Sequence, residues 1–254
     1  MQLQTTRATS HCRAARREAA PEATAGAQRI AAALELIATV LEPQRRVVHA
    51  GDVIYRAGEP FSRLHILNSG LFKLLSLSAD GREQVVGLRL RGDWLGFGAI
   101  ASGTHVCDAV AMDTGEVWTL RYDALLRACA RHPELMRIVH EAMSQEIVRD
   151  RDSLIALCTL PADARVVAFL QSWADSLAAR GLRTDQISLR LTRAEIGNYL
   201  GMTLETVSRA LTRLSREQLI AFPERGRRDV QIPDVQALGA YVQRSLAPAS
   251  TTLQ

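Results

Sequence analysis

The sequence predicts an α+β fold in three parts: a β-roll, one long helix, and a C-terminal winged helix-turn-helix. Three observations carry this reading. Between residues 46 and 121, short β-rich runs alternate with Gly, Asn, Asp and Ser, at the roughly eight-to-twelve-residue spacing of an all-β roll or barrel. A long helical stretch opens at Pro133, and proline is well tolerated in a first turn. Two short helical segments split by Gly201 then follow near the end of the chain.

In chain order, residues 1–28 are rich in Ala, Arg, Thr and Glu and poor in bulky apolar side chains. They read as a disordered tail that buries too little surface to order itself, with a targeting role as the alternative. Residues 29–41 have an amphipathic helical pattern and open a sensor domain over 29–132. Its expected strands are 46–49, 53–55, 64–67, 71–76, 84–90, 109–112 and 117–121, with Asp80-Gly81 as a hairpin turn. A short helix over 122–130 precedes the long one, a dimerisation helix at 133–160, and Pro161 follows its end.

The segment 161–240 reads as the helix-turn-helix domain. Its first helix, 162–179, carries Val166, Phe169, Leu170, Trp173 and Leu177 on one face and stops at Gly181. A short strand at 187–191 leads to helices over 193–200 and 203–216. Alternation returns at 218–232, with 225–229 as the turn of a wing. Residues 241–254 read as a C-terminal tail.

Composition bounds the function. The chain has 254 residues, 47% of them hydrophobic, enough for a sizeable core. Formal net charge is +4, mostly from arginine; this permits a nucleic-acid partner without demanding one. There is no apolar run of about 18 residues, so no membrane span is expected, and no apolar secretory segment stands at the start. Cys12, Cys107, Cys129 and Cys158 are isolated, without CxxC pairs or histidines at zinc-ligand spacing. They read as free buried thiols in a reducing cytoplasm, and no metal site is expected. A cupin-like metalloenzyme, which shares the roll, needs clustered His and Glu ligands. No His-x-His pair occurs, so the chain is not expected to be an enzyme.

Met136, His140, Met143, Ile147, Asp150, Leu154 and Leu157 are spaced alternately four and three apart. That is a heptad seam and predicts a parallel homodimer; packing of the stripe on its own roll is the alternative. Asp150 in the seam would face its partner copy.

Residues 192–220 have the pattern of a helix-turn-helix. Thr192 and Glu195 can form a capping box, Gly201 suits a tight turn, and Thr203 can cap the second helix. Val207, Leu211 and Leu214 form a buried stripe, leaving Leu204, Glu205, Ser208, Arg209, Thr212 and Arg213 outside. Glutamate can accept from cytosine N4 and arginine can donate twice to guanine. The alternative for Glu205 and Arg209 is a surface ion pair.

With these residues in view, the chain resembles the CRP/FNR superfamily of regulators over roughly residues 30–235. The marks are 51–59 (Gly-Asp-Val-Ile-Tyr-Arg-Ala-Gly-Glu), 64–70 (Leu-His-Ile-Leu-Asn-Ser-Gly), 91–96 (Arg-Gly-Asp-Trp-Leu-Gly) and the helix-turn-helix. Residues 92–103, 196–201 and 205–209 look most like the fumarate–nitrate reduction regulators. The resemblance implies a cyclic-nucleotide-binding-like roll, double-stranded DNA as partner, and RNA polymerase as a partner of the exposed hairpin 79–84, which is otherwise a solvated turn. It also accords with an acidic residue near Asp150.

Two departures stand out. Oxygen-sensing members hold an iron–sulfur cluster on a compact N-terminal cysteine group plus one in the roll. Here the tail offers only Cys12, and the roll position falls near Val117-Trp118, so no cluster is expected. Nucleotide-binding members use Gly-Glu and Arg-Ser pairs where this chain has Gly96-Phe97 and Val106-Cys107. Cyclic AMP would lose its charge-assisted bonds, so no cofactor is expected and the effector stays open. His49, His65, His105, His132 and His140 leave haem as an alternative, in a regulator with a different half-site.

By the same resemblance, Glu205, Ser208 and Arg209 imply a TTGAT…ATCAA inverted repeat. Leu204, where nucleotide-responsive relatives carry an arginine, argues against TGTGA. Arg190, Arg193, Arg213 and Arg216 are candidate phosphate contacts.

Overall fold

The computed structural model describes residues 20–77, 81–223 and 229–246. Helix α1 (Ala20–Leu41) leads into eight strands: β1 (Gln44–Val48), β2 (Val53–Tyr55), β3 (Arg63–Ser69), β4 (Phe72–Leu77), β5 (Glu83–Arg89), β6 (Trp94–Leu95), β7 (Asp108–Ala111) and β8 (Gly115–Arg121). They form two four-stranded sheets, ordered β1-β8-β3-β6 and β2-β7-β4-β5, with every pairing antiparallel. Alternate residues point between the sheets, as a pleated strand requires. Val48, Leu67, Phe72, Ala109 and Val117 meet there, each 1% exposed or less. The outer face of the first sheet is closed by helices. Ile37 of α1, Leu64, Ile66 and Trp118 pack against Leu125 of α2 (Tyr122–Arg131) and Leu135 of α3 (Pro133–Thr159).

Beyond α3 lie α4 (Ala162–Ala178), β9 (Gln186–Ser188), α5 (Arg193–Tyr199), α6 (Leu204–Arg216), β10 (Asp229–Gln231) and α7 (Val235–Leu246). Their core gathers Val167, Leu170, Ile196, Leu211, Leu214 and Leu238. β10 pairs antiparallel with β9, and Ala221 bridges Gln231, giving a small wing. The wing turn 225–228 and the hairpin residues Ala79 and Asp80 lie outside the described residues.

The sequence reading needs correcting at both ends. α1 begins at Ala20, nine residues inside the segment read as tail; residues 1–19 lie outside the described part. At Gly26 the helix packs by close approach. A Cβ on buried Gly26 would collide with the Ala179 carbonyl at the end of α4. The boundary at 240 cuts through α7, which continues to Leu246 and packs Tyr241 and Val242 on the domain core. Strand β6 and the 3₁₀ turn Phe97–Ala99 add to the elements expected from the sequence. The thiols also divide: Cys129 is buried, Cys107 half-buried and Cys158 exposed.

The parts are joined by buried charge. Asp93, in the turn before β6, accepts from Arg149 of α3 at 2.7 Å and from Arg180 beyond α4 at 2.9 Å. Its Oδ2 also takes the Leu90 amide at 2.8 Å. Arg180 donates further to the Arg91 carbonyl at 2.8 Å, and Arg89 of β5 pairs with Glu146 of α3 at 3.0 Å. A buried charge persists only when paired and hydrogen-bonded, so these contacts fix how the roll meets α3 and the C-terminal domain.

Candidate DNA-reading surface

The reading unit is built from its caps upward. Thr192 Oγ1 accepts the Glu195 amide at 3.1 Å, while Glu195 Oε2 accepts the Thr192 amide at 2.8 Å. This reciprocal pair satisfies two otherwise orphaned donors and starts α5. Ile196 and Leu200 point inward. The turn is tight. A Cβ on Gly197 would stand 2.6 Å from the Met202 carbonyl oxygen, and Gly201 has φ +62°, a left-handed conformation that glycine adopts without penalty. Thr203 then accepts the Thr206 amide at 3.2 Å and starts α6.

α6 buries Val207, Ala210, Leu211 and Leu214, all 2% exposed or less. Its other face carries Glu205 and Arg209, with side chains 79% and 80% exposed and 4.0 Å apart. Both readings of this pair are therefore geometrically present: a loose surface ion pair, and two groups one turn apart on an open helix start. Ser208 lies between them, half-buried. The three base-reading candidates thus share one face at the start of α6.

The four phosphate candidates are scattered. Arg216 is exposed at the end of α6. Arg213 is tied to Asp163 of α4. Arg190 stands 3.8 Å from Asp113 of the roll. Arg193 lies over the Phe222 ring at 5.6 Å.

The structure also reveals what sequence reasoning missed. Lys73 of β4 pairs with Glu195 at 2.6 Å. Asn198 of α5 docks on β5: its Nδ2 donates to the Glu83 carbonyl at 2.6 Å, and its Oδ1 accepts the Val85 amide at 2.5 Å. Gln84 donates to the Asn198 carbonyl. Glu83 and Gln84, at the base of the 79–84 hairpin, are exposed as expected, yet are also hydrogen-bonded to α5 of the helix-turn-helix. No local periodicity signals these contacts, because the partners lie more than 110 residues apart.

On α3, Met136, His140, Ile147, Asp150 and Leu154 of the expected seam are exposed, while Met143 and Leu157 are half-buried. Both readings of the stripe thus apply in part, and most of the seam is unpaired within the chain. Inside the roll, His105 stacks on Tyr55 at 3.8 Å between ring centroids, and His65 Nδ1 lies 3.0 Å from Thr119 Oγ1. Burial, reinforced by nearby His105, pushes His65 down to about 4. Burial also lowers His105 and raises the Cys107 thiol. His49 and His140 are exposed. Among the described residues no three His, Cys, Asp or Glu side chains gather as a metal site, and no helix is long and apolar enough to cross a membrane.

A roll joined by a long helix to a capped, winged helix-turn-helix defines a DNA-binding transcription regulator rather than an enzyme. Known proteins agree. Residues 45–132 match the cyclic nucleotide-binding domain family and residues 164–241 the Crp-like helix-turn-helix family. The chain is 32% identical over 188 residues to the fumarate and nitrate reduction regulatory protein of Escherichia coli K12, spanning 74% of this chain and 75% of that one. It is equally similar to the anaerobic regulatory protein of Pasteurella multocida, over 68% of its length. FixK2 from Bradyrhizobium japonicum superposes with a TM-score of 0.69 at 26% identity, covering 82% of this chain and 99% of that one. A CRP/FNR-family regulator from Thermus thermophilus shares the fold, with a TM-score of 0.64 at 20% identity over 80% of this chain and all of that one. The chain belongs to the CRP/FNR family of transcription regulators.

Proposed function

We propose that this regulator works in the cytoplasm as a homodimer on an inverted repeat of the form TTGAT…ATCAA. The observation that carries the reading is the shared, open placement of Glu205, Ser208 and Arg209 at the capped start of α6. In this reading Arg209 donates to the guanine, Glu205 accepts from the paired cytosine while orienting Arg209, and Ser208 lies against a thymine. The exposed Met136, Ile147 and Leu154 of α3 support a second copy as partner. A two-fold dimer sets two recognition helices about one turn of DNA apart.

The same proposal has neither an iron–sulfur cluster nor cyclic AMP as cofactor. Among the described residues Cys107 lies just before β7, Cys129 in α2 and Cys158 near the end of α3. Phe97, at the position of the ribose-binding glutamate, is buried in the layer between the first sheet and the helices and stacks on Trp94. Neither set fits its group. RNA polymerase stays a proposed partner through whatever part of the hairpin α5 does not cover. Selection from random double-stranded DNA tests the reading: TTGAT half-sites in inverted repeat are expected, and TGTGA half-sites or an unpaired motif would defeat it.

A further inference from the structure

Among the described residues β5 stands at the end of its sheet, paired with β4 on one side only. An edge strand offers unpaired backbone groups unless something covers them. Here the cover is a side chain of the helix-turn-helix. Asn198 Nδ2 donates to the Glu83 carbonyl at 2.6 Å, and Asn198 Oδ1 accepts the Val85 amide at 2.5 Å. The two backbone groups flank Gln84, so the carboxamide stands where one residue of a parallel neighbouring strand would pair. It can do so because it carries a donor and an acceptor side by side; a carboxylate would satisfy only the amide. Gln84 completes the contact by donating to the Asn198 carbonyl.

Glu195 and Asn198 lie three apart on α5 and so share a face. Glu195 takes Lys73 of β4 at 2.6 Å, and β4 is the neighbour of β5. One face of a single short helix is thus bonded to two adjacent strands of the roll. A third tie, from Arg180 beyond α4 to Asp93 at 2.9 Å, holds the same domain at another point. Three separated ties remove the rotations that one or two would leave. What they fix is passed on to α6, because a Cβ on Gly197 would stand 2.6 Å from the Met202 carbonyl oxygen: α5 and the turn into α6 are in direct contact. With every tie made, the Glu205 and Arg209 side chains remain 79% and 80% exposed. The ties therefore leave the base-reading groups free and act on where α6 points.

We propose that Asn198 and Lys73 are positioning residues for DNA recognition: they hold each reading domain on its own roll so that the dimer accepts one spacer length between its two half-sites. This rests on the homodimer reading above. In a dimer joined along α3, the distance and angle between the two α6 helices follow from how each reading domain sits on its roll. One base pair of spacer moves the half-sites about 3.4 Å apart and turns one about a tenth of a turn around the other. Short hydrogen bonds to the strands of the roll resist both displacements. Base identity is then read by α6, and spacing by the roll-facing side of α5.

Binding of the full chain to duplexes that carry the inverted repeat returned by random selection, with the spacer stepped by single base pairs, tests this. The unaltered protein should bind its best spacer about tenfold or more tightly than spacers one base pair shorter or longer. Asn198→Asp keeps the Val85 bond and loses the Glu83 bond, and Lys73→Gln breaks the ion pair from the side of the roll. In each the penalty should fall to about threefold or less. A duplex with one half-site scrambled reads α6 alone, and its affinity should stay within about twofold in both variants. Loss of that half-site binding in Asn198→Asp would be a folding defect of the reading domain, and Lys73→Gln, which lies outside that domain, then decides. An unchanged spacer preference in Lys73→Gln, or an unaltered protein indifferent to spacer, would overturn the proposal. So would tighter binding of the best site by the variants, which would make the ties a brake on DNA binding. If the protein selects an inverted repeat of one spacer and the variants keep it, this inference alone fails. Selection of an unpaired motif defeats the dimer reading and this inference with it.

Discussion

Lys73, the one lysine in the chain, reaches from the roll to Glu195, the residue that completes the capping box of the helix-turn-helix. One carboxylate oxygen takes the ammonium at 2.6 Å and the other takes the Thr192 amide at 2.8 Å. Burial pushes the Glu195 carboxyl up, but the bonds from Lys73 and Thr192 outweigh it and hold the group below the usual carboxylate range. A local helix cap is thereby also a joint between domains.

That uniqueness supplies a probe. An amine-reactive reagent has only Lys73 and the chain's amino terminus to modify. Lys73 should react slowly while its ion pair holds, and faster in Glu195→Gln. Peptide mapping after timed labelling checks this; equal rates in the two proteins would mean that the joint is open in solution. Glu195→Ala should also cost about 1–2 kcal/mol of stability through the lost cap, read by urea unfolding.

On DNA, Arg209 and Arg216 should behave differently. Arg209→Ala should weaken the preferred site by about 1–3 kcal/mol and relax the preference for guanine. Arg216→Ala should weaken all sequences alike and flatten the salt dependence by about one unit of slope. Competition binding at several salt concentrations distinguishes them. An Arg209→Ala protein with unaltered base preference would remove that side chain from the readout.

The dimer seam carries its own test at Asp150. Two copies would bring like charges together, so Asp150→Ala should tighten dimerisation by up to about 1 kcal/mol, roughly fivefold. Sedimentation across a concentration series measures it. No gain in dimer would take Asp150 out of the seam.

His65 gives a pH dependence with a definite sign. Its folded value of about 4 lies below the ordinary 6.5. The unfolded chain therefore takes up the proton first as pH falls. The stability of the neutral, buried form is complete above about pH 6.5 and is lost progressively down to about pH 4. Between about pH 7 and pH 5 this should amount to about 2 kcal/mol. His65→Gln should lose less over the same window in urea titrations. Equal losses in both proteins would assign the effect elsewhere.

Most of the fold was legible because it is written in local pattern. The strands follow period-two alternation, α3 opens on Pro133, and Thr192, Glu195, Gly201 and Thr203 mark the helix-turn-helix almost residue by residue. The misses share a physical cause. The tail read over 1–28 and the boundary read at 240 both fall beside glycines that sit in helices where a neighbour comes close: Gly26 by the Ala179 carbonyl, and Gly239 by the Gln171 side chain 3.2 Å from where a Cβ would be. The pairings of Arg149, Arg180 and Lys73 leave no local signal because their partners lie 56, 87 and 122 residues away. The pairing of Arg213 with Asp163 of α4 was invisible for the same reason.

Asp93 bears on how interchangeable the halves of this regulator are. It belongs to the roll, but its two guanidinium partners come from the long helix and from just beyond the first helix of the reading domain. A chimera that grafts another relative's reading domain after residue 160 inherits Asp93 and Arg149 but brings its own residue to the place of Arg180. Unless that residue is also a guanidinium, the hybrid holds a buried carboxylate short of one partner. Transplants cut at this point should succeed or fail with the identity of that one graft residue, so the seam between modules runs through a side chain as well as along the backbone.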